Sequence, residues 1–468
     1  MDGKPQKLEL RREVGLLGGM SLIAGTMIGS GIFMSPQSVI QNIGSPGASL
    51  VIWASCGVLA MLASLSYAEL GTVIRESGGE YIYILRTAGR PAAFLFIFTS
   101  VVVVRPTSMA GVALSFAVNA VAPFYQDCPP PDSVVKCVAA VGILLLAMVN
   151  CLNVRAAMNL MVFFMAAKLL SLAIIVIGGA VLLVQGNTVN FENSFEGTKF
   201  DVSSIGVAFF QCLWSYDGWN NLNSVTEELK NPKVNLPRSL IIAIPMVTVL
   251  YLLVNVSYLA ALTPRDMISS SAVAVTWGNK VLGGLGWVMS IAAALSAFGS
   301  LNGTFFSGGR VCFVAAREGH MPDILAMAHV KRLTPSPALI FTTSISLLVL
   351  IPGDFQSIVN FFSFTAWFFY GITICGLLYL KIRRPDLPRA FKVPIVIPIL
   401  VLLAAIFLVV APIIDDPKIE YLYVTLFIFS GTIIYVPFIH FKLFPGLLDR
   451  VTVFLQLFLE VAPADKNL

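Results

Sequence analysis

The chain has 468 residues, of which 57% are hydrophobic and 12% are charged, whereas about a quarter of the residues in an ordinary soluble domain are charged. This composition excludes a soluble globular protein, and it leaves enough apolar sequence for about twelve spans of roughly 20 residues. The net charge of +5 does not indicate nucleic-acid binding, because the basic residues are scattered through short loops and form no dense patch.

Runs of apolar residues, separated by Gly, Pro and charged residues, predict an all-α membrane protein with about twelve transmembrane helices. The predicted spans lie near residues 14–40, 47–70, 91–120, 133–152, 159–185, 203–226, 238–262, 286–314, 335–351, 355–380, 393–413 and 420–441. Residues 1–13 form a predicted N-terminal segment outside the membrane, and residues 14–441 form the transmembrane domain.

The basic residues predict the orientation of the chain in the membrane. Most of the 30 Lys and Arg residues fall in alternate loops on the side of the N-terminus. The loops of the opposite side hold only Lys199, Arg265, Lys280 and Lys418. The positive-inside rule therefore predicts that both termini are cytoplasmic. Residues 442–468 form a predicted cytoplasmic tail, in which 447–460 has the spacing of an amphipathic helix that lies on the membrane surface.

Two predicted spans are interrupted near the middle of the membrane. Span 1 contains Gly25-Thr26-Met27-Ile28-Gly29-Ser30-Gly31, and span 6 contains Trp214-Ser215-Tyr216-Asp217-Gly218-Trp219-Asn220. Small residues alone could also serve close helix packing. Two interruptions five spans apart are instead typical of transporters built from two inverted repeats of five helices, here about 14–185 and 203–380, with spans 11 and 12 at about 393–441.

Broken helices predict a substrate site for a zwitterion. The start of a half-helix exposes N–H groups that suit a carboxylate, and the end of a half-helix exposes carbonyls that suit an ammonium group. We expect Gly29, Ser30 and Gly31 to bind a substrate carboxylate. We expect the carbonyls of Thr26, Met27, Trp214 and Ser215 to bind its ammonium group, with Trp214 closing over the ligand. Asp217, Gly218 and Asn220 complete the predicted site, and Asp217 would favour cationic side chains.

Two further charges lie inside predicted spans. Lys168 lies about ten residues into span 5, and ionisable groups at such depth usually face the interior of the bundle and serve function. Its ammonium group could fill the position of a coupling sodium ion, or it could be a structural lysine bonded to carbonyls. Arg105 precedes Pro106 in span 3. A charge on the substrate path and a structural partner for Asp217 are equal alternatives for it.

Several separate motifs resemble the light subunits of heteromeric amino-acid transporters, in the amino acid-polyamine-organocation superfamily. They are Gly25–Phe33, Ser66-Tyr67-Ala68-Glu69-Leu70-Gly71, Tyr216–Asn220, Thr226-Glu227-Glu228-Leu229, Ser271–Thr276 and Arg317-Glu318-Gly319-His320. The order of the motifs agrees with the family along almost the whole chain. Among the subtypes, the sequence is most similar to the b(0,+)-type light chains, which exchange cystine and dibasic amino acids for neutral ones, because Asp217 lies in the second interruption.

The resemblance implies a LeuT-type fold and sodium-independent obligatory exchange at the plasma membrane. It also implies a disulfide between Cys128 and a single-span glycoprotein heavy subunit, of the rBAT type or alternatively of the 4F2 type. Cys128 is the one cysteine in a clear loop, while the other six lie in or at the edges of apolar spans. Where the b(0,+)-type chains carry Val-Pro-Pro near the C-terminus, this chain has Val461-Ala462-Pro463, which predicts a different trafficking rule.

Three alternatives remain open at this point. One is an exchanger that prefers neutral or aromatic amino acids, and another is a channel or an amino-acid sensor of the same fold. No periodic ring of charges, of the kind that lines many channels, is evident in the sequence. The third, an enzyme, is disfavoured because we find no nucleophile–base pair and no metal-ligand spacing. We therefore expect no cofactor and no metal.

Overall fold

The structure is a computed structural model that describes residues 15–76, 78–126, 128–331, 334–414 and 418–463. The predicted N-terminal segment 1–13 and the last five residues of the predicted tail lie outside the described residues. The α-helices are, in chain order, α1 (Leu16–Met27), α2 (Gly31–Ile43), α3 (Pro46–Val73), α4 (Glu80–Thr87), α5 (Arg90–Thr99), α6 (Arg105–Val121), α7 (Asp132–Leu152), α8 (Val154–Val184), α9 (Val202–Ser215), α10 (Pro232–Ala261), α11 (Pro264–Ser269), α12 (Val273–Val281), α13 (Trp287–Arg317), α14 (Ser336–Leu350), α15 (Phe355–Arg383), α16 (Val396–Ile414), α17 (Ile419–Ile434) and α18 (Pro445–Leu459).

The remaining elements are short. The 3-10 helices are Ala122–Phe124, Val189–Phe191, Asn221–Glu228, Gly283–Leu285 and Asp323–Ala326, and the π-helical segments are Ser100–Val104 and Tyr435–His440. The two strands, β1 (Met327–His329) and β2 (Val461–Pro463), pair antiparallel. The prediction of an all-α membrane protein is therefore confirmed for the described part of the chain, with this small sheet as an addition that the apolar pattern did not indicate.

Nine helices of the described residues are long and apolar enough to cross a membrane, and the bent pair α1 and α2 makes ten. The predicted spans at 203–226 and 335–351 correspond to shorter elements. α9 has 14 residues and is followed, after a break at residues 216–220, by a 3-10 helix, and α14 has 15 residues. The total of twelve spans, the two five-helix repeats and the proposed domain boundaries remain predictions.

The broken spans lie inside the bundle. α1 packs against α10, α2 packs against α9, and α6 packs against α13. Fully buried aromatic side chains such as Phe33, Trp53 and Tyr251 belong to one continuous apolar core. We name the two ends of the bundle by the first broken span, as the Leu16 side and the Ile43 side. α3 returns the chain from the Ile43 side to the Leu16 side, so α4 lies on the Leu16 side.

A buried ion cluster fixes the Leu16 side. Glu69 of α3 is fully buried, and its carboxylate lies 2.9 Å from Lys381 Nζ and 3.0 Å from Arg389 Nε. The backbone N–H of Val393 also donates to it, at 3.4 Å. A carboxylate out of water is tolerated only with such partners. The cluster joins the end of α3 to the end of α15 and to the segment that precedes α16.

The C-terminal part of the chain contacts the bundle through β2 and through α18, which packs against the 3-10 helix Asp323–Ala326. α18 has no buried residue, and its exposed apolar side chains include Leu447, Val451 and Phe454. A helix is therefore present at the predicted place, and its position on the membrane surface stays a prediction. The sequence Val461-Ala462-Pro463, noted above for its departure from the b(0,+) pattern, is β2 itself, and it pairs with the segment that follows α13.

Candidate functional site

The first interruption separates two half-helices that meet at an angle of 49°. α1 ends at Met27, and Ile28 adopts an extended conformation (φ −78°, ψ 95°), so the helix cannot continue through it. α2 begins at Gly31 after Ser30. The predicted break within 25–31 is therefore present, and it leaves the last carbonyls of α1 and the first N–H groups of α2 without partners inside their own helices.

Glycines allow the first break to be packed closely. A Cβ atom added to Gly31 would lie 2.6 Å from the Cα atom of Ser215, and one added to Gly29 would lie 2.5 Å from Ser300 Oγ. Such distances are much shorter than the 3.5–4.0 Å of a normal carbon contact. The small-residue interpretation of the sequence thus also has support, since the glycines serve both the break and the contact with α9 and α13.

The second interruption lies directly against the first. α9 ends at Ser215, and the chain resumes as the 3-10 helix Asn221–Glu228. Gly218 has φ +104°, a left-handed conformation that favours glycine. A Cβ atom on Gly218 would lie 2.6 Å from Thr26 Cγ2, and Asn221 Nδ2 donates to Thr26 Oγ1 at 3.2 Å. The two breaks therefore form one structural unit.

Two side chains from other helices donate to the carbonyls at the breaks. Lys168 of α8 is 5% exposed, and its Nζ donates to the carbonyl of Gly25 at 2.7 Å. The hydroxyl of Tyr251, on α10, lies 2.6 Å from the carbonyl oxygen of Met27 and 2.7 Å from that of Ser215. Lys168 thus contacts the last turn of α1, and its role in coupling or in structure stays a prediction.

Tyr251 is a participant that sequence analysis did not find, because a tyrosine in a long apolar run gives no signal of function. Its hydroxyl carries a single hydrogen. It therefore satisfies one of the two carbonyls fully, or each of them in part. Either way, the carbonyls of Met27 and Ser215 retain lone pairs for another donor, and their predicted role in binding an ammonium group remains a prediction.

A cavity of about 90 Å³ lies beside the two breaks. Five of the predicted residues line it, namely Thr26, Arg105, Asp217, Gly218 and Asn220. The lining also includes Glu80, Ser100, Val104, Ser108, Asn221, Ser224, Phe362 and Tyr370. The cavity therefore combines side chains from both breaks with others from α4, α6 and α15.

The other predicted residues are not part of the cavity lining. They are Met27, Gly29, Ser30, Gly31, Lys168, Trp214 and Ser215. Of these, Gly31 and Ser215 pack directly against each other, and Gly29 packs against Ser300 of α13. Trp214 is 6% exposed and lies edge-on to Phe362, with ring centres 5.1 Å apart. Since Phe362 itself lines the cavity, Trp214 is one side chain further from the ligand space than we expected.

Three charged groups are among the described cavity-lining residues: Arg105, Asp217 and Glu80. Asn220 Nδ2 donates to Glu80 Oε1. Sequence analysis missed Glu80, since it lies in a short polar stretch between two apolar spans. The signal in the sequence was the adjacent pair Gly78 and Gly79, which indicates a turn. In the structure their φ angles are +129° and +58°, and the turn brings the start of α4 beside the cavity.

A π-helical turn precedes Arg105. The segment Ser100–Val104 is π-helical, and α6 begins at Arg105 with Pro106 in its first turn. Proline lacks an N–H group and crowds the carbonyl four residues earlier, which accounts for the wider turn at this position. Ser100, Val104, Arg105 and Ser108 all line the cavity. Arg105 therefore lies on the substrate side of its helix.

Cys128 is exposed, in the segment between Phe124 and α7, and it forms no disulfide within the described chain. Of the six cysteines expected in apolar spans, Cys56, Cys212 and Cys312 are buried and Cys151 is partly buried. Cys137 and Cys375 are exposed, because they lie on the outer surfaces of α7 and α15. Location in an apolar span therefore does not imply a position inside the bundle.

The sequence matches the amino acid permease family over residues 14–438. It is 50% identical to the b(0,+)-type amino acid transporter 1 of Homo sapiens, over 99% of this chain and 96% of that protein. It is 43% identical to the large neutral amino acids transporter small subunit 2 of Rattus norvegicus, over 87% of this chain and 77% of that protein. It is 38% identical to the cystine/glutamate transporter of Homo sapiens, over 99% and 93%. With two breaks facing one charged cavity and a match over nearly its whole length, the chain belongs to the amino acid permease family.

Proposed function

We propose that the chain is an amino-acid exchanger that works by alternating access and carries cationic and neutral L-amino acids and cystine. The observation that carries this proposal is the meeting of the two helix breaks beside a cavity lined by Asp217 and Arg105. Irregular backbone at this depth is tolerated where it lines a cavity or is buried in protein. A transporter uses the same breaks to bind substrate at the centre of the bundle.

The substrate backbone has a complement at the breaks. α1 ends at Met27 and presents carbonyls, while α2 begins at Gly31 and presents N–H groups. The partial charges at these ends suit an ammonium group and a carboxylate respectively. A zwitterionic α-amino acid therefore matches both ends at once, with Ser30 adding a hydroxyl.

The substrate side chain would extend into the cavity towards Asp217. A carboxylate in this low-dielectric space attracts the distal cation of lysine or arginine strongly. The relatives support the subtype, since identity to the b(0,+)-type transporter is 50%, against 43% and 38% for the other two proteins. Arg105, in the same cavity, offsets part of the negative charge, so neutral substrates remain acceptable.

Independence from sodium is the second part of the proposal, and it depends on Lys168. Its ammonium group donates to the carbonyl of Gly25 at 2.7 Å, next to the end of α1. In related transporters, carbonyls at an unwound helix coordinate the coupling cation. A fixed ammonium group at such a carbonyl makes a bound sodium ion unnecessary.

The test is exchange in proteoliposomes that contain the purified chain. Unlabelled leucine inside the vesicles should accelerate the uptake of labelled arginine several-fold over empty vesicles, equally in sodium and in choline buffer. Flux that is indifferent to the internal amino acid would indicate a channel. Binding of amino acid without any flux would indicate a sensor, and uptake limited to neutral or aromatic amino acids would support the remaining alternative. A requirement for sodium would contradict the role of Lys168.

We also propose that the chain assembles with a single-span glycoprotein heavy subunit of the rBAT type through Cys128, in the plasma membrane and with both termini cytoplasmic. The exposed thiol in the segment before α7 is accessible to a partner, and disulfides persist at the extracellular side. A heavy subunit of the 4F2 type is the alternative.

Co-expression with each heavy subunit, followed by non-reducing electrophoresis, tests this partnership. Cys128→Ser should lose the high-mass band, and Cys137→Ser, which removes another exposed thiol, should keep it. A band that survives in the Cys128 variant would assign the linkage to another cysteine.

A further inference from the structure

Glu80 is a buried carboxylate at the boundary between α4 and the cavity. It is the first residue of α4, it is 9% exposed, and it lines the cavity together with Asp217 and Arg105. α4 is not among the helices that could cross a membrane. The carboxylate is thus supplied from the Leu16 side by a short helix, not by a broken span.

The neighbours of Glu80 make it part of the ligand space. Asn220, at the end of the second break, donates its side-chain N–H to Glu80 Oε1. Ser224, one turn further along the same segment, also lines the cavity. Glu80 therefore contacts the same unwound segment that contains Asp217.

The charges of the cavity do not balance. Of the described lining residues, Glu80 and Asp217 are acidic and Arg105 is basic, which leaves one net negative charge when all three are ionised. A neutral zwitterion leaves that excess in place. A dibasic amino acid adds one positive charge and neutralises it. Buried charges are stable only when they are compensated, so the net charge of the cavity favours a cationic side chain.

We propose that Glu80 is a specificity-determining residue for cationic amino acids, and that substrate preference follows the net charge of Glu80, Asp217 and Arg105 together. This inference rests on the proposed exchange function. Arg105 neutralises the equivalent of one carboxylate, so Asp217 alone would leave a neutral cavity with no preference for charge. The second carboxylate, that of Glu80 on α4, supplies the one net negative charge that favours a cationic substrate.

The experiment measures kcat/KM for arginine and for leucine in the same proteoliposomes, and uses their ratio. Glu80→Gln keeps the size of the side chain and removes its charge, and it should lower the arginine-to-leucine ratio at least ten-fold. Arg105→Gln, which leaves two carboxylates unopposed, should not lower the ratio. Glu76→Gln is the matched control, since Glu76 precedes α4 and its carboxylate pairs with the exposed Arg86; it should leave the ratio unchanged.

A purely structural role for Glu80, through its contact with Asn220, predicts a different result. Both substrates would then lose activity to the same extent in Glu80→Gln, and that outcome would overturn the inference. An unchanged ratio would overturn it as well. If Glu80→Gln fails to reach the membrane, the pair Glu80→Asp and Glu80→Asn replaces it, because these variants have equal size and differ only in charge. The aspartate variant should have the higher ratio, and equal ratios would contradict the proposal.

Failure of the proposed function is distinguishable from failure of this inference. If the unmodified chain shows no acceleration by internal amino acid, exchange itself is wrong. If it exchanges arginine and leucine and Glu80→Gln keeps the wild-type ratio, only the role of Glu80 is wrong.

Discussion

The two helix breaks differ in what they present to the cavity. The first break has no charged side chain of its own, and its carbonyls at Gly25 and Met27 accept hydrogen bonds from Lys168 and Tyr251. The second break carries Asp217 and Asn220 into the cavity lining. The first break is thus a backbone surface held by neighbouring helices, and the second is a source of side-chain chemistry. The comparison suggests that recognition of the amino-acid backbone and recognition of its side chain are assigned to different breaks.

The largest effect is expected from the first break. Lys168→Ala should reduce exchange of every substrate at least a hundred-fold, because it removes a buried donor and leaves the end of α1 without its cation. Lys136→Ala is the matched control, since Lys136 also donates to a backbone carbonyl, that of Ile351 at 2.6 Å, but in a more exposed position. Exchange rates would be measured at equal amounts of protein in the membrane. If Lys168→Ala exchanges amino acids at the wild-type rate, the proposal that Lys168 is needed for turnover is wrong.

The second break should show a loss that depends on the substrate. Asp217→Asn should weaken arginine exchange by roughly 2–5 kcal/mol, the cost typical of truncating one partner of a buried charge pair, with a smaller effect on leucine. Arg105→Ala is the companion variant. If Asp217 only pairs with Arg105, both variants should impair arginine and leucine alike. That result would show that Asp217 does not select the substrate side chain, so the second break, like the first, would contribute no side-chain selectivity.

Close packing between the breaks should be sensitive to a single methyl group. Gly31→Ala should cost about 1–3 kcal/mol, as overpacking does, because the new Cβ atom would lie 2.6 Å from the Cα atom of Ser215. Gly25→Ala is the control at the same break, since its Cβ atom would meet only Met165 Sδ at 3.4 Å. Thermal stability in detergent and leucine exchange would both be measured. Equal tolerance of the two variants would show that the breaks are not in fixed contact.

The smallest effect is expected from the hydroxyl that joins the two breaks. Tyr251→Phe should cost about 1 kcal/mol, the usual net value of one hydrogen bond, or roughly a five-fold change in exchange. Tyr258→Phe is a suitable comparison, because the Tyr258 hydroxyl donates to the carbonyl of Ile32 at 3.2 Å, in the first turn of α2, and has no contact of this kind with the second break. A smaller effect for Tyr251 than for Tyr258 would contradict a specific link between the breaks.

The sequence contained enough information to locate both breaks. Glycines flanked by apolar residues, and a carboxylate inside an apolar span, are local features that a pattern can reveal. Lys168 was identified for the same reason, and the structure gives it a carbonyl partner on α1. The family resemblance was confirmed by the match over residues 14–438.

Contacts between distant segments could not be predicted in the same way. Glu80 lies in a short polar stretch, and its position beside Asn220 depends on how α4 folds back after α3. Tyr251 is one of many aromatic residues in apolar helices, so only the packing of α10 against α1 identifies it. The pairing of β2 with β1 joins segments more than a hundred residues apart. The position of Phe362 between Trp214 and the cavity likewise depends on side-chain packing, which the sequence pattern does not reveal.

The π-helical turn at Ser100–Val104 sets the direction in which the Arg105 side chain leaves its helix, because it holds one residue more than a regular α-helical turn. One residue advances an α-helix by about 100° around its axis, since a turn contains 3.6 residues. The extra residue in the wide turn therefore rotates everything after it by about that angle relative to a regular α-helix. The same sequence wound as a regular α-helix would present Arg105 about 100° away from its present direction around the helix axis. The place of Arg105 in the cavity lining thus depends on a wide turn made of Ser100 and four valines, none of which carries a charge.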